Sequence, residues 1–280
     1  MSGRVPAFRI EYAMEAALLG IFMISACGFT VLLEHPASPV REMLAEPVMR
    51  RALMGLAMGA TAMALIYSPW GRRSGAHMNP ATTLTFARLG KVAPRDAAMY
   101  AAGQFLGGVA GVLLASLALG ELLADRTTNY AATLPGPRGL AVAFGAEAAI
   151  TFVLMSVILV VSNHPRRANW TGLCAGALVA LYITVEAPLS GMSMNPARTL
   201  GSAVFAGDWR ALWLYFVAPP LGMLAAAELY LLRRGREAVF CAKLCHAEPC
   251  VFCEWRSGRR DGRTAERRDG GTAERHAVSA

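Results

Sequence analysis

Ser74-Gly75-Ala76-His77-Met78-Asn79-Pro80-Ala81-Thr82-Thr83-Leu84 is matched, 116 residues later, by Ser190-Gly191-Met192-Ser193-Met194-Asn195-Pro196-Ala197-Arg198-Thr199-Leu200. Asn followed by Pro is a helix start, because Asn is a favoured N-cap and Pro a favoured first residue whose missing N–H costs nothing there. The stretches that follow, 81–86 and 197–205, are too short at about 1.5 Å per residue to cross a hydrocarbon core of about 30 Å. Each reads as a half-helix. A second pair precedes them, Glu15-Ala16-Ala17 and Glu147-Ala148-Ala149. The chain therefore divides into two halves built alike.

The rest of the sequence supplies the setting. Of 280 residues 55% are hydrophobic and 16% charged, with a mean hydropathy of +0.40; an ordinary soluble domain carries about 25% charge. That balance argues against a soluble enzyme, a disordered chain or a collagen-like repeat. Of the 27 basic and 19 acidic residues, 11 and 7 fall in residues 233–280, leaving a charge-poor body before a charged tail. Six segments of the body, about 12–33, 52–70, 97–120, 139–162, 168–186 and 211–232, are apolar and long enough to span a bilayer. Three spans per half make the halves inverted in the membrane. Inversion brings the half-helix N-termini together near the midplane, where non-helical backbone is tolerated only if it lines a cavity.

Basic residues cluster in one set of loops, Arg72, Arg73, Arg88, Lys91, Arg95, Arg166 and Arg167, while the opposite loops mix signs. By the positive-inside rule both termini are cytoplasmic, in the cell (inner) membrane. The first span follows Arg4 and Arg9 with no convincing cleavage region, so no removable signal peptide is expected. The pI near 9.5 fits loops facing anionic lipid and needs no nucleic-acid partner. The expected organisation is a short N-terminus (1–9), a channel domain (10–234, with halves of about 10–120 and 138–234) and a tail (235–280). Glycines four residues apart, Gly55 and Gly59, Gly103, Gly107 and Gly111, Gly172 and Gly176, read as ridges for close helix packing.

Two Asn-Pro-Ala motifs with matching flanks, each behind an apolar span, resemble the major intrinsic protein family of aquaporins and aquaglyceroporins over about residues 10–232. The resemblance implies an all-α membrane fold of six tilted helices plus two re-entrant half-helices, one pore per subunit and a homotetramer. It implies that Asn79 and Asn195 are pore donors and that Arg198 is the constriction arginine. An Arg at membrane depth is expensive and by default functional; with two positive half-helix ends it would repel cations and disfavour proton passage. Glu15 and Glu147 are implied to hold the re-entrant loops, the bland alternative being a Glu exposed to headgroups. His77 either lines the pore or holds a loop at its inner mouth.

Alignment outward from the motifs places Met192, Ile183 and Met58, or Gly59 under a one-residue shift, beside Arg198. Water-selective members of the family carry an aromatic and a His at two of these positions, and this chain has neither. Thr199 stands where glycerol-conducting members have an Asp. The flanks look more like the branch of plants and some bacteria that moves small hydroxylated molecules or metalloid acids. The reading is a passive channel for water and small neutral solutes that excludes ions and protons, with a glycerol- or metalloid-specialised channel as the alternative. An ion-coupled transporter would also use inverted repeats, but the body has no mid-span Asp. His35, His77, His164, His246 and His276 are scattered and suggest no catalytic group.

In the tail, Cys241, Cys245, Cys250 and Cys253 crowd into 13 residues with His246 among them. No cofactor is needed for permeation. Four thiolates could hold zinc, though the spacing fits no common module; juxtamembrane acylation and an idle or redox-sensitive cluster are the alternatives. Further on, a charged octapeptide beginning at Arg259 nearly repeats at Arg267, and this stretch is expected to be disordered.

Overall fold

The structure, a computed structural model, describes residues 9–246, 250, 252 and 253. The octapeptide repeat and its expected disorder lie outside the described residues, as do positions 1–8. The described residues are helical, without strands. The long helices are α1 (Arg9–Glu34), α2 (Pro47–Tyr67), the half-helix α3 (Pro80–Arg88), α4 (Pro94–Leu119), α5 (Leu140–Ser162), α6 (Thr171–Val185), the half-helix α7 (Pro196–Ala206) and α8 (Leu212–Arg234). Six of them are long and apolar enough to cross a membrane. Their outer faces expose large apolar side chains such as Leu56, Leu106 and Leu117, which is stable against lipid and not against water. The protein is an integral membrane protein.

Proline sets several boundaries. Pro47, Pro80, Pro94 and Pro196 each open a helix, where a fixed φ is preorganised and the absent N–H is not missed. The second span was expected over 52–70. It runs earlier because Pro47 starts it, and it stops at Ser68, which caps a separate short helix, Pro69–Ser74, by accepting from Gly71 N–H at 3.0 Å.

The two halves pack as a pseudo-twofold pair. α1 lies along α4 and α5 along α8; α2 and α6, the equivalent helices of the two halves, pack on each other; and each half-helix packs across the dyad, α7 on α4 and α3 on α8. The glycine ridges make these contacts tight. A Cβ on Gly107 would lie 2.0 Å from the Ala16 carbonyl oxygen, and one on Gly222 would lie 2.2 Å from that of Ala148, the equivalent place in the second half. At the α2–α6 crossing, a Cβ on Gly59 would lie 2.5 Å from the Gly176 carbonyl oxygen.

Candidate re-entrant pore site

The two quoted stretches fold as re-entrant loops of the same conformation. Gly75, Ala76 and Met78 have positive φ (105°, 55° and 49°), and so do Gly191, Met192 and Met194 (81°, 54° and 56°). Such backbone is costly for residues with a Cβ and persists only where surrounding contacts over-determine it. Here a buried carboxylate supplies those contacts. Glu15 accepts from the backbone N–H of His77 (3.0 Å) and Met78 (2.6 Å) and from the Ser74 hydroxyl (2.7 Å). Glu147 accepts from the N–H of Ser193 (2.6 Å) and Met194 (2.8 Å) and from Ser190 (2.8 Å). Both are fully buried within the protein.

Residues that sequence reasoning passed over complete the scaffold. Tyr100 donates its hydroxyl to the Ser74 carbonyl and Tyr215 to that of Ser190, at 2.7 and 2.6 Å. Gln104 donates to Glu15 (2.7 Å) and to Thr83 (3.1 Å). The serines could have been found, since both stand five residues before the Asn of each repeat. The tyrosines stand 21 and 20 residues after it on separate helices, which no local pattern links to the loops.

The half-helices start at the two asparagines. Asn79 Oδ1 accepts from Ala81 N–H at 2.9 Å; Asn195 Oδ1 accepts from Ala197 and Arg198 N–H at 3.0 and 3.2 Å. Their amides then cross the dyad, Asn79 Nδ2 donating to the Met194 carbonyl and Asn195 Nδ2 to that of Met78, each at 2.7 Å. The two loops are thus joined at the place where the half-helix N-termini meet. Each side-chain amide has two N–H groups, and both asparagines line a cavity of about 100 Å³ that also takes in His77, Ser193 and Arg198.

A wider cavity of about 260 Å³ lies on the side away from the tail, and Arg198 lines both, together with Phe22, Val179, Ser193 and Met194. Met58, Ile183 and Met192 line the wider cavity with it, so the four residues expected at the constriction are brought together. Between Met58 and Gly59, the cavity is lined by Met58, and Gly59 is taken up by helix packing. Arg198 Nη1 is buried with no hydrogen-bond partner among the described residues. A guanidinium N–H buried without a partner is costly, and at the junction of two cavities it is placed to bond to whatever occupies them.

His77 sits at the tail end of the inner cavity, buried. One ring nitrogen lies 3.0 Å from Thr83 Oγ1 and the other 2.7 Å from the Ala242 carbonyl oxygen. In the tail, the ligand atoms of Cys241, His246, Cys250 and Cys253 lie within 4.8 Å of one another. Cys245, counted in the four-thiol set from spacing, is buried but not part of this group, and His246 takes its place. Spacing alone did not choose between neighbours in sequence. The Cys241 hydrogen bond draws the Cys250 thiol down to about 5, while donating that bond and burial push Cys241 up.

Residues 10–230 match the family described as Major intrinsic protein. Among curated relatives, the aquaporin NIP1-3 of Oryza sativa subsp. japonica is 34% identical over 236 residues, covering 83% of this chain and 78% of that protein. The aquaporin NIP1-4 of the same species is 38% identical over 182 residues, 65% of this chain and 64% of that one. Among solved structures, the aquaglyceroporin from Plasmodium falciparum superposes with a TM-score of 0.63 at 22% identity, over 80% of this chain and 96% of that one, a likeness of fold. With a family match across nearly all of the membrane body and two inverted, Asn-capped half-helices at its centre, the chain belongs to the major intrinsic protein family.

Proposed function

We propose that the chain is a passive pore for water and small uncharged solutes that excludes ions and protons. The observation that carries this reading is the meeting of two half-helix N-termini, bonded to each other through Asn79 and Asn195, between two cavities joined at Arg198. A water passing the junction meets asparagine N–H donors and two positive helix ends. Those ends and the Arg198 cation oppose a hydronium or metal ion at the junction of the two cavities. Glu15 and Glu147 serve as loop supports, with His77 holding the tail-side end of the first loop.

The constriction side chains favour a permeant set wider than water. Met58, Ile183 and Met192 are apolar and offer Arg198 as the main hydrogen-bonding group, and Met is flexible enough to admit solutes of uneven shape. Small hydroxylated molecules and metalloid acids fit such a lining. The closely packed glycine ridges and the absence of a mid-span Asp support a fixed channel over an ion-coupled carrier. We place both termini in the cytoplasm and the channel in a homotetramer in the cell membrane. Zinc at the tail cysteines would sit outside the water file, so permeation itself needs no cofactor. Stopped-flow osmotic exchange in proteoliposomes with water, glycerol, urea and boric acid tests the reading. Faster exchange than empty vesicles, unaffected by ion gradients, is expected; exchange that needs an ion gradient contradicts it.

A further inference from the structure

The first part of the tail is seated in the pore's mouth. Val239, Ala242, Lys243, Leu244 and Cys245 are buried. Leu244 N–H donates to the Gly75 carbonyl at 3.1 Å, and Leu244 lines the inner cavity together with His77, Asn79 and Asn195. The His77 ring donates through Nε2–H to the Ala242 carbonyl and stacks on Phe252, with centroids 5.8 Å apart and planes 8° from parallel. Gly75 also lies close under the tail, since a Cβ there would lie 3.0 Å from the Phe252 ring. The same loop that builds one half of the pore is therefore the dock for the tail. At its start the segment is fastened by Phe240 N–H donating to Asn163 Oδ1 and by Tyr230 donating to the Ala238 carbonyl at 3.3 Å.

The ligand group lies in this docked segment. Cys241 and Cys250 sulfurs are 3.4 Å apart, Cys253 and Cys241 sulfurs 3.7 Å, and His246 Nε2 is 3.4 Å from Cys253 Sγ. A tetrahedral zinc site with Zn–S of about 2.3 Å requires sulfur–sulfur edges of about 3.8 Å and slightly shorter sulfur–nitrogen edges. Three thiolates and one imidazole form a closed donor set of the structural kind. Cys241 and His246 flank Leu244, so a bound ion would cross-link both sides of the segment that carries it to Cys250 and Cys253 next to Phe252. A segment this short buries too little apolar surface to hold itself in place, and metal binding supplies that ordering energy directly.

We infer that Cys241, His246, Cys250 and Cys253 bind a thiophilic divalent ion of the zinc type, and that the ion clasps the tail as a plug whose Leu244 closes the inner mouth of the pore. The proposal rests on the channel reading for its second half and on ligand geometry alone for its first.

The test uses the full chain, purified under reducing conditions, stripped with a chelator and reloaded with Zn²⁺ or Co²⁺. About one ion per chain should be retained, and Co²⁺ should give the absorption of a tetrahedral thiolate site. Cys253→Ser and His246→Gln should lose that spectrum and Cys245→Ser should keep it. In proteoliposomes, stripping the metal should raise water exchange several-fold, and reloading should reverse it. Leu244→Ala should raise exchange while the Co²⁺ spectrum stays. No retained metal, or loss of the spectrum in Cys245→Ser but not in His246→Gln, overturns the clasp. Metal binding with equal exchange in loaded and stripped channels overturns the plug. If no form conducts, Leu244→Ala included, the channel reading falls and the plug with it, while the spectrum still decides the metal site.

Discussion

The two re-entrant loops share one skeleton and differ in what they do with it. In each, a buried Glu takes two backbone N–H groups and a serine hydroxyl, a tyrosine holds the serine carbonyl, and an Asn caps the half-helix and reaches across to the other loop. The differences fall at three positions of the repeat, one of them Ala76 in the first loop against Met192, which lines the wider cavity, in the second. Where the second loop has Ser193, whose hydroxyl bonds Thr199, the first has His77, whose ring bonds Thr83 and also reaches the tail. Where the first half-helix has Thr82, the second has Arg198, at the junction with the wider cavity. Structural duties are thus duplicated, and the functional ones are split. Under the proposed function and the inferred plug, one end of the pore would carry the charged filter and the other the dock for the tail.

The largest effects should come from breaking the shared skeleton. Glu147→Ala leaves two buried N–H groups and a hydroxyl unsatisfied, each worth about 1–3 kcal/mol, and Glu15→Ala does the same while also stranding Gln104. Both should lower the melting temperature in detergent by a large and similar amount, and a strong effect in only one half would break the equivalence. Next come the ridges. Gly107→Val and Gly222→Val drive carbon into a facing carbonyl and should each cost about 1–3 kcal/mol as the helices are forced apart, read as matched drops in thermal stability.

The asymmetric positions should leave folding largely intact and change transport. Arg198→Val should let protons and monovalent cations through and widen the solute range, measured as dye-reported proton flux alongside osmotic exchange; unchanged proton flux would remove Arg198 from the filter. His77→Ser, which gives the first loop the residue of the second, should loosen the tail and raise water exchange in metal-loaded vesicles. The smallest effect is expected from Met192→Ala, a modest rise in glycerol relative to water as the lining recedes from Arg198.

Much of this was legible in the sequence because the decisive features are local. One Asn-Pro-Ala is a weak sign of a helix start, but two with matching flanks, each behind an apolar span, announce the paired half-helices. The spans needed only length and apolarity. Tyr100, Tyr215 and Gln104 were not legible, since their partners are backbone groups on loops distant in sequence and a Tyr in a span has many uses. The docked tail was hidden by averaging. Residues 233–280 are charge-rich as a block, but between 239 and 253 only Lys243 and Glu248 are charged, and Lys243 is buried. Its apolar residues follow no helical or strand period, because the segment is shaped by the surface it lies on. Choosing His246 over Cys245 likewise requires the chain's path, which neighbouring positions in sequence do not reveal.

The most direct test of the central claim is simultaneous stopped-flow measurement of water exchange and proton flux in proteoliposomes holding the metal-stripped full chain. The account predicts water exchange well above that of empty vesicles with proton flux no higher than theirs. Fast exchange accompanied by a matching proton leak would contradict the assignment of exclusion to Asn79, Asn195 and Arg198.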